Sequence, residues 1–263
     1  GVGTMFAGAE SHIMPLYEKN GWLPDLGAIP EGVAHSAKVM WLNYPNNPTS
    51  AVATAEDLAG VTAYCREHDI ALLHDAAYSE VGYQGYRATS SMQVEGAKDV
   101  GIEFHSLSKT YNMTGWRIGM AVGNADMIKA LFQIKANLDS GIPQAVQEMA
   151  MEALTGPQDC VDDNVAIYQR RRDRVVTALS SMGLEVAVPQ ASLYVWAHVP
   201  EGYTSADFAA RLLEDIDIVV TPGSSYGQYG EGYIRLSLTT PDEQVEKGCQ
   251  RLESWRIPPP KGG

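Results

Sequence analysis

The sequence predicts an α/β fold, with a mostly parallel sheet and crossover helices in a large first domain and a smaller α+β domain after it. Between residues 39 and 105, short apolar runs alternate with a helical stretch, which is typical of a parallel sheet rather than of hairpins. After Gly183 the pattern changes to strands that flank a helix. With 263 residues, of which 45% are hydrophobic, the chain is long enough to bury a large core.

Capping residues and apolar runs define the elements of the first part. The expected strands cover residues 39–42, 70–73, 102–105 and 118–122. Thr54 caps a helix that extends to about His68 and carries Glu56 and Asp57 in its first turn, where the helix dipole favours negative charge. Asn124 caps a second helix that extends to about residue 137. Ligand groups are expected at the carboxyl ends of these strands.

A break at Gly156-Pro157 followed by a long helix indicates a domain hinge. We place a large domain at residues 1–168 and a small domain at residues 169–263. The remaining expected elements are helices at 143–154, 158–182, 205–213 and 241–255, strands at 193–197 and 233–238, and a loose tail at 258–263. The basic run from Arg170 to Arg174 is interpreted as a solvated helix face, because the chain around it is acidic.

Composition excludes several classes of partner. The net charge of -13 argues against contact with nucleic acid or an anionic membrane, and no apolar run is long enough to span a bilayer. The three cysteines lack CxxC spacing, so neither a disulfide framework nor a metal site is expected, and a reducing cytoplasm fits best. Because the sequence opens at Gly1 in mid-pattern, we expect that an amino-terminal portion of the natural protein is missing.

The segment from Ser106 to Arg117 combines an amine, hydroxyls and a guanidinium. The Lys109 amine can form a Schiff base with an aldehyde. Ser106, Ser108 and Arg117 can neutralise and orient a phosphate group. Taken alone, the segment reads as an ordinary solvated loop, but residues at three other places in the chain favour a pyridoxal phosphate site.

Asp75 and Tyr78 follow the second expected strand. A carboxylate at Asp75, beside a pyridine nitrogen, keeps that nitrogen protonated so that the ring accepts electron density. The Tyr78 hydroxyl, three residues later, can point into the same pocket and donate to the phenolate oxygen of the ring. The alternatives are a turn cap at Asp75 and a packing role for Tyr78.

Asn47 and Arg235 complete the set. Asn47 lies in Asn43-Tyr44-Pro45-Asn46-Asn47-Pro48-Thr49, where the prolines indicate an extended, rigid loop after a strand and the Asn47 amide can reach the same phenolate oxygen. Arg235 lies among apolar residues in a strand, where a substrate carboxylate would supply its partner. An ordinary Asn-Pro turn and a solvent-facing strand arginine are the alternatives.

Together these residues resemble the pattern of the class I/II aminotransferases, which are pyridoxal phosphate enzymes of fold type I and of the aspartate aminotransferase kind. The matching positions are Asn47-Pro48-Thr49, Asp75-x-x-Tyr78, Ser106-x-Ser108-Lys109 with Arg117, and Arg235. Their order and spacing match across nearly the whole chain. Within the family, the segments at 74–80, 104–119 and 200–205 are similar to bacterial LL-diaminopimelate aminotransferases.

The resemblance implies a role for each position. Lys109 would hold the cofactor and move a proton at the substrate α-carbon, and Asp75 would bind the ring nitrogen. The remaining implied ligands are Asn47 and Tyr78 for the phenolate oxygen, Ser106, Ser108 and Arg117 for the phosphate, and Arg235 with Asn47 for the substrate α-carboxylate. The implied reaction is ping-pong transfer of an α-amino group between an amino acid and a 2-oxo acid, in a homodimer, and the finer resemblance implies LL-diaminopimelate as the amino acid.

Two departures from the family pattern stand out. Ser50 occupies a position that is usually Gly, where a positive φ would be strained. The amino-terminal part of the family pattern, with a glycine phosphate loop, a stacking aromatic ring and a tyrosine that reaches the neighbouring subunit, has no counterpart in these 263 residues. We therefore expect this chain by itself to bind pyridoxal phosphate weakly or not at all.

Two other functions stay open from the residues alone. A carbon-sulfur β-lyase needs the same lysine, aspartate and arginine but expels a leaving group, so it releases pyruvate and ammonia instead of a new amino acid. A non-catalytic binding or regulatory domain can keep the fold without the chemistry, and it is normally fused to a basic DNA-binding segment.

Overall fold

A computed structural model of the chain describes residues 2–260, so Gly1 and the end of the expected tail at 261–263 lie outside the described residues. The helices are α1 (Val2–Phe6), α2 (Glu31–Ser36), α3 (Ala55–Glu67), α4 (Ala97–Val100), α5 (Leu107–Thr110), α6 (Ala125–Leu138), α7 (Gln144–Thr155), α8 (Asp159–Ser181), α9 (Ser205–Ile216) and α10 (Asp242–Ser254). The strands are β1 (Val39–Asn43), β2 (Ala71–Asp75), β3 (Gly101–Ser106), β4 (Gly119–Gly123), β5 (Tyr194–His198), β6 (Thr221–Pro222) and β7 (Tyr233–Ser237).

The first sheet has the order β1-β2-β3-β4 within residues 2–260. Strands β1, β2 and β3 are parallel, with Asn43 paired to Asp75 and Asp75 to Phe104 at their carboxyl ends. Strand β4 is antiparallel to β3, because the short segment that joins them turns the chain back without a full crossover. The expectation of a mostly parallel sheet is confirmed.

Helix α3 is the crossover between β1 and β2, and its ends lie where the sequence predicts them. The Thr54 hydroxyl accepts from the Asp57 amide at 3.2 Å, and the Asp57 carboxylate accepts from the Thr54 amide at 2.8 Å. This reciprocal pair satisfies amides that the first helical turn leaves free. One face of the helix buries Leu58, Val61 and Cys65 against the sheet.

The second sheet, in the described part of the chain, has the order β5-β7-β6 and is antiparallel. Its inner face buries Val195 and Ile234 against Phe208 of α9 and Leu179 of α8. The expected smaller α+β unit is therefore present. No helix within residues 2–260 is long and apolar enough to cross a membrane.

The expected boundary between residues 168 and 169 falls inside helix α8. The core on this helix also contains Tyr78, Val81 and Tyr83, which follow β2 in the first part of the chain. Residues from both parts thus share one core along the helix. The division at 168/169 stays a prediction.

The interpretation of Arg170 to Arg174 as a solvated face holds for Arg170, which is exposed, but is wrong for Arg172. Arg172 is only 1% exposed, and it donates to the Pro189 carbonyl at 2.9 Å while its guanidinium lies 4.6 Å from the Tyr83 ring centroid. Arg174 pairs with Glu246 and Glu253 of α10. Consecutive helical residues point in directions about 100° apart, so a run of arginines places some of them inward.

A buried carboxylate, Glu103 on β3, holds the strands together from within the sheet. Its side chain is fully buried. It accepts hydrogen bonds from His74 and His105 and from the neighbouring serines Ser90 and Ser91, at 2.6 to 3.0 Å. Burial by itself raises the pKa of Glu103, but the hydrogen bonds from two histidines and two serines outweigh it and hold the pKa well below its ordinary value.

His74 on β2 lies between two hydrogen-bond acceptors. Its Nδ1 lies 3.0 Å from the Glu103 carboxylate, and its Nε2 lies 3.1 Å from the Tyr44 carbonyl oxygen. The His74 ring thus joins β3 to the turn that follows β1.

Replacing Glu103 with Gln is expected to lower the free energy of unfolding at pH 7 by about 3 kcal/mol, because a neutral amide cannot accept all the hydrogen bonds that two histidines and two serines form with the buried carboxylate. The lowered pKa adds stability that is fully present above the ordinary carboxyl pKa of about 4 and is lost as the pH falls towards the folded-state value. Urea unfolding curves at several pH values should therefore show a shallower acid loss for E103Q than for the wild type.

The control for this substitution is Glu95→Gln, which changes an exposed carboxylate in the same part of the chain. E95Q should unfold like the wild type at pH 7. Equal stabilities of E103Q and E95Q would contradict the role assigned to Glu103.

Candidate active site

Three polar segments begin at one edge of the first sheet. The segment with Asn47 follows β1, and Lys109 follows β3. Asp75 is the last residue of β2, and Tyr78 comes three residues later. Because these strands are parallel and adjacent, their carboxyl ends lie side by side. The residues that the sequence selects at these strand ends therefore lie at one edge of the sheet.

The Lys109 segment is a short helix held at both sides. Strand β3 ends at Ser106, helix α5 follows directly, and the side chain of Ser108 is buried in it. Beyond the helix, Asn112 accepts from Tyr168 of α8 at 2.8 Å. Among residues 2–260, the Lys109 amine has no hydrogen-bond or ion-pair partner.

Arg117 lies at the far end of this segment with a positive φ of 52°. Its Nη1 donates to the Thr114 carbonyl at 2.8 Å, and the residue is exposed. A guanidinium carries five N–H donors, so this single contact leaves most of them available to a phosphate.

Asp75 ends β2, where neighbouring segments hold its backbone. Its carbonyl accepts from Asn43 Nδ2 at 2.9 Å, and the Ala76 amide donates to the Phe104 carbonyl at 2.9 Å. Its Oδ1 accepts from the Ala77 amide at 3.3 Å, which is a long contact. The half-buried carboxylate forms no ion pair with any residue between 2 and 260.

The Asn47 segment is a compact turn rather than the extended loop expected from its prolines. The Ser50 amide donates to the Asn46 carbonyl at 2.9 Å, and the Asn46 amide donates to the Ala51 carbonyl at 2.8 Å. The peptide bonds before Pro45 and Pro48 are cis. Side chains satisfy the remaining amides, as where Asn43 Oδ1 accepts from the Asn47 amide at 2.7 Å.

Arg235 on β7 reaches the same turn from the second sheet. Its Nη1 donates to Asn47 Oδ1 at 2.8 Å, across a separation of 188 residues. A guanidinium only donates, so this contact fixes the Asn47 amide with its oxygen towards Arg235 and leaves Nδ2 to donate elsewhere. Arg235 Nε is buried and has no hydrogen-bond partner in the described part of the chain.

Tyr194 and Tyr226 also surround Arg235, and sequence reasoning missed both. The Arg235 guanidinium lies 4.0 Å from the Tyr194 ring centroid and 5.1 Å from that of Tyr226. The Tyr194 hydroxyl lies 3.1 Å from the Tyr78 hydroxyl. Tyr194 begins β5 within an apolar run, so nothing in the local pattern separates it from a packing residue.

The Tyr78 side chain is buried at the junction of the two sheets. Burial raises the pKa of Tyr78 far above its ordinary value, the hydrogen bond to Tyr194 raises it further, and the positive charge of Arg235 acts weakly against both. The hydroxyl therefore stays protonated and can donate a hydrogen bond at any physiological pH.

The predicted residues fit pyridoxal phosphate. A charged ligand needs donors and acceptors that the fold has left open, and the Lys109 amine and Arg235 Nε have no partner within residues 2–260. The Asp75 carboxylate keeps an acceptor for a ring nitrogen, and Arg117 keeps donors for a phosphate. Among the described residues, no cluster of side chains is suited to hold a metal ion.

A cleft of about 290 Å³ opens behind the Lys109 segment. Its lining residues include His105, Ser106, Thr110 and Tyr111, and Gln158 next to the start of α8. Of the predicted site residues only Ser106 lines this cleft, so it is a space distinct from the edge where Asp75, Asn47 and Arg235 lie.

Sequence comparison identifies relatives along most of the chain. A profile described as Aminotransferase class I and II matches residues 3–252. An LL-diaminopimelate aminotransferase from Dehalococcoides mccartyi is 58% identical over 255 residues, which are 97% of this chain and 66% of that protein. An enzyme of the same name from Moorella thermoacetica is 53% identical over 251 residues, which are 95% of this chain and 64% of that protein. The chain thus spans just under two thirds of the length of these relatives.

Solved structures share the fold. The substrate-bound structure of BacF from Bacillus subtilis superposes with a TM-score of 0.93 at 38% sequence identity, covering 98% of this chain and 66% of that one. The expected α/β fold of the aminotransferase type is therefore confirmed.

Ser50 offers a test of how the Asn47 turn is anchored. Its side chain is buried, and its φ of 61° is the positive value at which the sequence predicts strain for a serine. Its hydroxyl donates to the Tyr194 carbonyl at 2.8 Å. Ser50→Ala keeps the strained φ and loses the hydrogen bond, so it should lower the free energy of unfolding by about 1 kcal/mol. Ser50→Gly loses the same bond but relieves the positive φ, so urea unfolding should place it between the wild type and S50A. A glycine variant less stable than the alanine variant would contradict this account.

Proposed function

Because this chain belongs to the class I and II aminotransferase family, we propose that the whole protein is a pyridoxal phosphate-dependent aminotransferase. It transfers the α-amino group between an amino acid and a 2-oxo acid. The observation that carries the proposal is the edge of the first sheet, where Lys109 and Asp75 follow adjacent parallel strands and Arg235 reaches Asn47 from the second sheet. This arrangement supplies an amine, a carboxylate and a carboxylate-binding guanidinium around one edge.

The side chains at the strand ends divide the cofactor-binding work. Ser106, Ser108 and Arg117 donate to the phosphate. Asp75 holds a proton on the ring nitrogen, and Tyr78 and Asn47 Nδ2 donate to the phenolate oxygen. When bound, the cofactor supplies a covalent link to an amine and an electron-poor ring that stabilises negative charge at the substrate α-carbon.

Lys109 and Arg235 act on the substrate. Arg235 binds the α-carboxylate through Nε and Nη2, which its contact with Asn47 through Nη1 leaves without a partner in the described part of the chain. The Lys109 Nζ removes the proton from the α-carbon of the amino donor. Amino donor and oxo acceptor both carry a carboxylate next to the reacting carbon, so the same guanidinium serves both halves of a ping-pong reaction.

The proposed amino donor is LL-diaminopimelate. Its support is the name shared by the relatives at 58% and 53% identity. We also propose that the protein works as a homodimer in the cytoplasm, with the large domain at residues 1–168 and the small domain at residues 169–263. Three cysteines that form no disulfide among the described residues are compatible with a reducing compartment.

Borohydride reduction tests the covalent link. The whole protein is mixed with pyridoxal phosphate, reduced and digested, and the peptide that carries Lys109 is expected to gain the mass of the reduced cofactor. Lys109→Arg should abolish the adduct, because a guanidinium does not form the link. Lys129→Arg, at an exposed position of α6, is the control and should label like the wild type. Labelling of K109R at the wild-type level would refute the assignment.

Amino transfer from LL-diaminopimelate to 2-oxoglutarate tests the reaction, with aspartate and alanine as other donors. Formation of a new amino acid supports transfer, whereas pyruvate with ammonia from a sulfur amino acid would show a β-lyase instead. Arg235→Lys should raise the KM for the oxo acid roughly tenfold or more, because a lysine cannot form two parallel hydrogen bonds to a carboxylate. Arg170→Lys, on the exposed side of α8, is the matched control and should leave KM unchanged.

A further inference from the structure

We propose that Tyr194 is a positioning residue that couples the carboxylate-binding Arg235 to the cofactor-binding Tyr78. The inference rests on the proposed function and adds to it a residue outside the set that the sequence selects. Its two parts, the ring and the hydroxyl, act on different partners. They can therefore be separated by substitution.

The ring of Tyr194 supports Arg235. The guanidinium carbon lies 4.0 Å from the ring centroid, within the range of a cation–π contact. Both side chains are partly buried, and water screens such a contact less there than on an open surface. Asn47 accepts from Nη1, and the Tyr194 ring lies against the guanidinium. Together they fix the orientation of the guanidinium plane and thus the direction of the Nε–H bond.

The hydroxyl of Tyr194 supports Tyr78. The two oxygens are 3.1 Å apart and the two rings pack edge to face at 5.7 Å. Each hydroxyl has one proton to donate. If Tyr78 donates its proton to the phenolate oxygen of the cofactor, it must accept from Tyr194. With the cofactor bound, Tyr194 is therefore the donor in this pair, and such a chain of hydrogen bonds strengthens each member, so Tyr194 then makes Tyr78 the better donor.

The backbone of Tyr194 is held without help from its side chain. Tyr194 begins β5 and pairs with Ser237 of β7. Its carbonyl oxygen accepts from the Ser50 hydroxyl at 2.8 Å. Substitutions of the side chain should therefore leave the strand in place and report on the ring and the hydroxyl.

The hydroxyl is tested by Tyr194→Phe in the whole protein loaded with pyridoxal phosphate. Donation from Tyr78 favours the form of the bound cofactor that has lost its proton, so a weaker donor should raise the pH midpoint of its visible absorbance by roughly 0.3 to 1 pH unit. The KM for the oxo acid should stay within about twofold, because the ring beneath Arg235 is kept. An unchanged midpoint would overturn the role of the hydroxyl.

The ring is tested by Tyr194→Leu, which keeps an apolar side chain and removes the aromatic face. The KM for the oxo acid should rise about three- to tenfold above that of Tyr194→Phe. If both variants share one KM, the role of the ring in supporting Arg235 is overturned. The matched control is Tyr203→Phe, which removes a tyrosine hydroxyl bonded to the Pro258 carbonyl, outside the site, and should leave both midpoint and KM as in the wild type.

A cofactor-free measurement separates this inference from the proposed function. Urea unfolding of Tyr78→Phe, Tyr194→Phe and the double variant of this chain forms a double-mutant cycle. Coupled hydroxyls predict that the double variant loses less stability than the sum of the two single losses, because the first substitution already leaves the other hydroxyl without its partner. Additive losses overturn the coupling even if Lys109 is labelled by the cofactor. If the losses of unfolding free energy are non-additive but Lys109 is not labelled by pyridoxal phosphate, the proposed function is refuted and the coupling of the two hydroxyls stands.

Discussion

The parallel register of β1, β2 and β3 is the constraint on which the site depends. Asn43 pairs with Asp75, and Asp75 pairs with Phe104, so β1 and β2 end at the same level and β3 continues only two residues further, to Ser106. The carboxyl ends of parallel strands meet at one edge of a sheet, so segments far apart in sequence begin side by side there. An antiparallel arrangement of β2 and β3 would place Asp75 and Lys109 at opposite edges.

Three polar contacts then join this edge to the second sheet. Arg235 donates to Asn47, Ser50 donates to the Tyr194 carbonyl, and the hydroxyls of Tyr194 and Tyr78 pair with each other. Buried polar groups need specific partners, whereas apolar contacts tolerate small shifts. These contacts therefore set the position of the second sheet relative to the strand ends more narrowly than its apolar core does.

Buried charges are used in two different ways. Glu103 and Arg172 are almost fully enclosed, and hydrogen bonds from several directions offset the cost of removing them from water. By contrast, the Lys109 amine and Arg235 Nε have no partner among residues 2–260. The buried charges inside the core thus have hydrogen-bond partners from the protein. The charged groups at the edge of the sheet keep donors that a ligand can use.

The sequence by itself determined the elements and most of the chemistry of the site. Capping at Thr54 and Asn124 and the apolar runs before Asp75 and Ser106 are local features, so they predict α3, α6 and the strand ends to within a few residues. The tertiary structure decided which distant groups meet: that Arg235 bonds to Asn47, that Tyr194 lies between Arg235 and Tyr78, and that Arg172 points inward against Tyr83. Propensity and spacing act over a few residues, whereas these contacts depend on how the two sheets and α8 pack. The packing of the two sheets and α8 therefore cannot be predicted from local sequence patterns.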